Sequence, residues 1–545
     1  MKVLILGGYG TFGGRLAQLL SDLANIEILI AGRSEAKAKA FCDRVAGAAQ
    51  VIPLALDRAD ITAALSTHAP DLVVDASGPF QDYGRHRYNV IEACIEAGID
   101  YMDLADGADF VEGVADFDAA AREAGVFILS GVSSFPVLTA AVLADTATRM
   151  TILDVEGGIA PSPFAGVGQN VLRAVLGYAG EPVHVTRGGR PAMGRGLVEI
   201  RRKTVSVPGH LPLRNIRFSL VDVPDLRLIP PKHAGLQNIW MGAGPVPEVL
   251  HRMLNALARL RSWGVAPNLM PLAGLCHWVL NTLKFGEHRG GMYVTARGPN
   301  AAEETWHLIA EGDDGPLIPS MAIEGLIRKM MEGDRPDPGA RSGIGALNLS
   351  DYQSLFQRRQ IFSGFRSEPS GALYPDALGA AYGDLPKPVQ AFHSATGTWR
   401  GSADIETGTS WVARTLAKVL GFPDAGRDIP VTVTTTLIGA GERWQRDFAS
   451  HRMTTTQEPG LGRMEGLIVE RFGPIAVGLA MVVKDKRLWL VPRRWTLFGL
   501  PLPRWLLPSG DTFETAQGGA FQFDVTVKVP LLGLIAAYRG TLSPA

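Results

Sequence analysis

The sequence predicts an α/β protein: a Rossmann doubly wound parallel sheet first, an α+β domain behind it, and a mainly antiparallel β domain last. Three observations carry this. A glycine turn stands between a strand pattern and a helix pattern at Lys2–Ala17. Short apolar strands then alternate with helical stretches up to about residue 150, the signature of a parallel sheet. Beyond residue 385 the pattern becomes short alternating strands separated by turn residues. The expected domains are 1–150, 151–366 and 385–545.

The opening stretch reads KVLILGGYGTFGGRLA. Val3 and Ile5 suit a buried strand, and Arg15, Leu16, Leu19 and Leu20 open a helix that should run to about Ala24. Between them Gly8-Tyr9-Gly10-Thr11-Phe12-Gly13 matches GxGxxG in the strand–turn–helix context that makes it a dinucleotide fingerprint. In that fingerprint Gly8 makes the tight turn, Gly10 admits the pyrophosphate and Gly13 lets helix and strand pack closely. The N–H groups and dipole of the helix start hold the phosphates. A second strand, Ile26–Ala31, ends in Gly32-Arg33-Ser34. Roughly 20 residues past the last glycine, an NAD site carries Asp or Glu for the ribose hydroxyl. Arginine beside a hydroxyl suits a 2′-phosphate instead, through a bidentate guanidinium fork, and this favours NADP (NADPH) over NAD. The alternative for Arg33 is a solvated side chain at a strand end.

Helix Glu35–Ala46 leads to strand Val51–Ala55. Asp57 after it either faces the adenine side of the cofactor or belongs to a helix cap near Asp60. The strand beginning at Asp71 ends in Ala76-Ser77-Gly78-Pro79, small residues at the carboxyl edge where ligands bind. Helix Asn89–Ala97, strand Asp100–Leu104, helix Phe117–Ala124 and strand Val126–Ser130 complete the domain.

Hydrophobic residues make up 46% of the 545 and charged residues 20%, as in a core-forming globular protein. A net charge of −1 supplies no basic field for nucleic acid. Cys42, Cys94 and Cys276 are far apart and odd in number, which suits a reduced, cytoplasmic setting. No signal peptide or transmembrane run is expected. No histidine or cysteine spacing suggests a metal, and no GxSxG suggests a hydrolase.

GGYGTFGG, AGRS, VVDASGPFQDYG, ACIEAGIDYMDLADGADF and AREAGVFILSGVSSFPVLT, in this order, resemble the saccharopine dehydrogenase-like reductases over roughly residues 1 to 365. The resemblance implies an NADP-type Rossmann domain, a substrate and dimerisation domain, and cofactor contacts from Gly8, Gly10, Gly13, Arg33, Ser34, Ser77 and Gly78. The family's Gly-Glu is missing from Tyr101–Gly107, which leaves substrate roles there open. Its substrates include amino-acid adducts, polyamine adducts and lipid-linked enoyl groups.

In the second domain, strands are expected at Leu153–Ala160, Phe218–Ile229, Gly291–Arg297 and Thr305–Glu311. Helices are expected at Gln169–Gly180, Pro247–Trp263, Ala273–Lys284 and Pro319–Met331. A linker follows at Ser367–Pro375. The last domain holds one helix, Thr409–Gly421, and nine expected strands, including Val431–Ile438, Glu442–Ser450, Ile475–Lys484, Thr512–Gln517 and Ala520–Val529. They suggest a curved sheet or partial barrel. This part resembles a bacterial domain of unknown function fused behind such reductases, most clearly at Glu442–Phe448. Tryptophans 489, 495 and 505 among arginines 487, 493, 494 and 504 could touch a membrane through 487–508; a hairpin with buried tryptophans is the favoured alternative.

Candidate proton donors near the cofactor edge are Tyr83, His86, Tyr101, Asp103, Ser133 and Ser134. The expected activity is hydride transfer between NADPH and a C=N, C=C or C=O bond of a small or lipid-linked metabolite, with a homodimer left open. The alternative is a nucleotide-binding scaffold or sensor without catalysis, whose last domain binds a hydrophobic ligand or a membrane surface.

Overall fold

Strand β1, Lys2–Leu6, lies inside the first sheet: Val3, Leu4, Ile5 and Leu6 are all buried. A computed structural model of the chain describes residues 1–80, 83–245, 247–366, 370–394, 396–419, 421–449 and 451–545. Parts of the linker expected at Ser367–Pro375, Gln81 and Asp82 of the small-residue turn, Leu420 of the expected helix, and Ser450 lie outside the described residues.

The chain forms two compact units. The first comprises 1–202 and 216–362, the second 203–215 and 363–545. In the first unit β1 pairs in parallel with β2 (Glu27–Gly32), which pairs with β3 (Gln50–Ala55). On its other side β1 pairs with β4 (Leu72–Asp75), then come β5 (Asp100–Asp103) and β6 (Phe127–Ser130). The order 6-5-4-1-2-3 is the doubly wound arrangement, and its crossover lies at the β1–β4 boundary. A seventh strand, Gly339–Ser342, extends the sheet in parallel beyond β6. It is tied in by Arg335, which grips Asp100 with two hydrogen bonds of 2.6 and 2.8 Å. The first helix ends at Leu20, short of the expected Ala24: Ser21 Oγ caps back onto Gln18 O.

A second, mixed sheet has the central order Asn238–Ala243, Asp154–Ala160, Arg289–Arg297, Glu303–Glu311. The strand expected over Phe218–Ile229 stops at Leu220, and Asp225–Leu228 is helical. Pro224, with its fixed φ, precedes that turn and ends the strand pattern. Helix Ile318–Met331 returns to the first sheet, where Ser320 Oγ donates to Phe12 O at 3.1 Å.

The second unit carries a closed barrel rather than an open or partial one. Among the described residues its sheet has eleven strands. The two-residue strand Leu500–Pro501 has one partner, Arg487–Leu497. The other ten form an antiparallel ring: Thr398–Thr407 pairs with Gly533–Pro544, and Arg487–Leu497 pairs with both Ile475–Lys484 and Thr512–Gln517. Closure removes the exposed edges that an open sheet would leave. Within it Trp489 lies 5.0 Å from Phe513, whereas Trp505 is exposed. Among the described residues no helix is long and apolar enough to cross a membrane.

Candidate active site

The site starts where β1 turns. Gly7 has φ +72°, and its carbonyl accepts from Gly10 N–H at 2.8 Å. The left-handed residue is therefore Gly7, one position before the Gly8 that the fingerprint assigns to the turn. Gly8 is small for packing: a Cβ there would lie 2.9 Å from Ile5 O and 3.0 Å from Ile30 Cα. A Cβ at Gly13 would collide with the Gly7 carbonyl oxygen, so helix Thr11–Leu20 begins directly on the turn. Its N-cap is Gly10, with no side chain to accept from the first-turn amides. Those N–H groups, with the positive end of the helix dipole, could hold an anion.

Tyr9 braces the turn against β2. Its ring packs on Gly32 and its hydroxyl accepts from Ser34 N–H at 3.1 Å. Ser34 Oγ accepts from Lys37 N–H at 3.4 Å and caps helix Glu35–Cys42. Asp57 accepts from Ala59 N–H at 3.0 Å, capping the short Arg58–Asp60 turn. Arg33 differs from both: it is exposed and makes no hydrogen bond or ion pair among the described residues. Its guanidinium is free for an external anion at the end of β2.

Thr11 faces the second sheet's domain. A Cβ at Gly168 would stand 3.0 Å from Thr11 Oγ1, and Arg15 Nη2 donates to Ala165 O at 2.6 Å. Burial of that arginine pulls its pKa down. Asn170, on helix Gln169–Tyr178, donates to Gly78 O at 2.6 Å. Sequence reasoning missed Asn170 and Arg15: their carbonyl partners lie about 90 and 150 residues away in the chain, beyond the reach of local pattern.

The turn after β4 holds the most developed polar network. Asp75 is fully buried and pairs with Arg58 Nε at 3.2 Å. It accepts from both the N–H and the hydroxyl of Ser77. With that proton committed, Ser77 Oγ accepts from the Tyr83 hydroxyl, 2.8 Å away. The Arg58 guanidinium lies 3.8 Å from the centre of the Tyr83 ring. Burial, with the Asp75 charge next, pushes the Tyr83 pKa well up, so its hydroxyl stays protonated.

The other candidate donors are less free. His86 is exposed, and its backbone carbonyl accepts from Arg58 at 3.5 Å. Asp103 is buried, and one carboxyl oxygen accepts from Gly131 N–H, Ala105 N–H and Ser130 Oγ at 2.7, 2.9 and 3.0 Å. Burial pushes its pKa up to about 7. It pins the ends of β5 and β6 together. Tyr101 is fully buried. Ser133 is half-buried, with its N–H on Gly131 O at 2.9 Å, and Ser134 is buried. Among the described residues no group of three or more His, Cys, Asp or Glu is placed to hold a metal.

Residues 3–129 match the family model of the saccharopine dehydrogenase NADP binding domain, and residues 385–542 match a domain of unknown function, DUF4166. A curated relative, carboxyaminopropylagmatine dehydrogenase of Synechocystis sp., is 34% identical over 112 residues, 19% of this chain and 25% of the relative. The chain thus spans about a quarter of that protein's length. Among solved structures, saccharopine dehydrogenase (L-Glu forming) from Saccharomyces cerevisiae aligns with a TM-score of 0.48 at 12% identity, over 68% of this chain and 100% of that one. An amine dehydrogenase from Mycobacterium smegmatis aligns at 0.32 and 14% identity, over 62% and 94%. The N-terminal part is thus similar to the NADP binding domain of saccharopine dehydrogenases.

Proposed function

Taking that N-terminal domain as the premise, we propose that the chain is an NADP-dependent oxidoreductase that passes a hydride between NADPH and a C=N, C=C or C=O bond of a small or lipid-linked metabolite. The observation that carries this is the helix start on the glycine turn, whose first-turn amides have no capping side chain. Arg33 would take the 2′-phosphate and favour NADP over NAD. Gly8, Gly10 and Gly13 would admit the pyrophosphate, while Ser77 and Gly78 would border the nicotinamide ribose. The work is assigned to a reducing cytoplasm, where Cys42, Cys94 and Cys276 stay free thiols.

Bound NADPH would supply the hydride and its orientation. Tyr83 would supply the proton. Its hydroxyl stays protonated until a reduced nitrogen, oxygen or carbanion needs it, and the Arg58 guanidinium over the ring then steadies the tyrosinate. Ser77, held by Asp75, would hold that proton at rest, and the substrate atom would replace Ser77 Oγ as its acceptor.

The test is NADPH oxidation by the full chain against panels of imines, enoyl thioesters and carbonyls, with Tyr83→Phe alongside. Turnover in one panel is expected. Tyr83→Phe should lower kcat about 10²-fold with NADPH affinity unchanged. Tight NADPH binding without turnover in any panel would favour the scaffold, and an undiminished kcat would remove Tyr83 from the mechanism.

A further inference from the structure

The barrel of the second unit encloses a cavity of about 290 Å³. Rings of this strand number leave room for one small ligand inside. The wall is almost wholly apolar, with Val433, Phe448, Val477, Leu479, Phe523 and Val525 among its lining residues. Arg446 interrupts that wall. It comes from strand Gly441–Phe448, on which Trp444, Arg446 and Phe448 alternate into the interior. The plug helix Lys387–Ser394 supplies Phe392, stacked on Phe521 at 4.0 Å between ring centres. Leu416, from helix Trp411–Val419, also lines the space.

The charges in this wall are matched. Arg446 Nη2 donates to Glu470 Oε1 at 3.2 Å, and Nη1 donates to Thr455 Oγ1 at 2.8 Å. Thr455 Oγ1 donates in turn to Glu470 at 2.9 Å. Glu514 is hydrogen-bonded to His393, and Gln457 Oε1 accepts from the Tyr374 hydroxyl at 2.7 Å. Several polar groups in this wall keep unused hydrogen-bonding capacity, and the donors of Arg446 and Tyr538 are among them. A guanidinium has five N–H groups, and those of Arg446 beyond the two named make no hydrogen bond among the described residues. The Tyr538 hydroxyl makes none either, and burial, working against the pull of Arg446, pushes its pKa up to about 12. Tyr538 also lines the cavity.

We infer that this cavity binds a neutral amphiphile: an apolar body along the barrel wall, with one hydroxyl or carbonyl oxygen accepting from Arg446 and Tyr538. A carboxylate fits worse. The positive charge of Arg446 is already neutralised by Glu470, so a second anion would be buried unpaired or would have to displace Glu470, and either is costly. A neutral oxygen satisfies the open donors and adds no charge. A purely apolar ligand would leave them unsatisfied. The site is separate from the dinucleotide turn and does not rest on the proposed activity.

The experiment titrates the full chain with N-phenylnaphthylamine, a neutral probe that fluoresces in apolar surroundings, then competes it with dodecanol or dodecanoate. Saturable binding of one probe per chain is expected, with dodecanol displacing it at concentrations about tenfold or more below dodecanoate. Val433→Phe and Val477→Phe, which fill the cavity, should each weaken the probe about tenfold while thermal melting and NADPH binding stay as in the parent chain. Tyr538→Phe, which keeps the ring, should weaken dodecanol several-fold and leave the probe alone. Absence of saturable binding, or binding that both filling variants leave unchanged, would overturn the site. Dodecanoate competing as well as dodecanol, or dodecanol unaffected by Tyr538→Phe, would overturn the neutral headgroup.

Discussion

The dinucleotide turn and the barrel cavity are both built around polar groups, and they treat them in opposite ways. At the turn, the first amides of helix Thr11–Leu20 have no capping side chain, and Arg33 stands exposed without a partner among the described residues. In the barrel, Arg446 is buried against Glu470, and Glu514 against His393. Unmatched positive character at a sheet edge asks for an anion. Matched charge in an apolar cavity refuses one.

The largest effect should come from breaking the match. Arg446→Met leaves the buried Glu470 without its cation, with the Thr455 hydroxyl still donating to it, and removes the cation from over Trp444, 4.7 Å away. It should cost about 3–5 kcal/mol of stability. Adding Glu470→Leu should recover most of that loss, because a neutralised pair can be replaced by apolar packing. Urea unfolding of the two variants decides it; a single variant as stable as the parent would show that the pair is not matched in the way described.

The turn should fail for a steric reason instead. Gly13→Val drives a side chain into the Gly7 carbonyl. Affinity for NADPH should fall on the order of 10²-fold, or about 2.7 kcal/mol, while probe binding by the barrel survives. A fluorescence titration showing parental NADPH affinity would displace the phosphate site from this turn.

These two regions were not equally legible in the sequence. The glycine turn was readable because strand, GxGxxG and helix are contiguous. Even so, pattern gave the tight turn to Gly8, whereas the positive φ is at Gly7, since glycine spacing does not say which residue takes the left-handed conformation. Arg33 was readable by position. The Arg58–Asp75–Ser77–Tyr83 network was not: Tyr83 stood out only by following the small-residue turn, and its link to Arg58 crosses from one strand end to another. The barrel strands showed as alternation, and Ile475–Lys484, Thr512–Gln517 and Ala520–Val529 fall where alternation puts them. Closure did not show, because it depends on Thr398–Thr407, a strand missed in the pattern, meeting Gly533–Pro544 at the end of the chain. The cavity and the inward turn of Arg446 follow from closure and were hidden with it.

A smaller effect tests the first sheet alone. Asp103 has its folded pKa pushed up to about 7, above the ordinary carboxyl value of about 3.9. The folded chain therefore holds a proton that the unfolded chain releases. The stabilisation this proton gives is present below about pH 3.9 and is lost as the pH rises through about 7. Asp103→Asn should remove that slope, which is at most about 1.4 kcal/mol per pH unit. Relative to the parent it should gain stability between about pH 4 and 7 and run parallel above that. Parallel curves from about pH 4 to 7 would show that Asp103 is ionised throughout.

The most direct measurement concerns Arg33. Dissociation constants for NADPH and NADH are determined by fluorescence titration for the parent chain and for Arg33→Ala. The account predicts that the parent prefers NADPH by about tenfold or more, and that Arg33→Ala loses most of that preference while its NADH affinity barely moves. Equal losses for the two nucleotides, or a parent chain that binds NADH as tightly as NADPH, would contradict it.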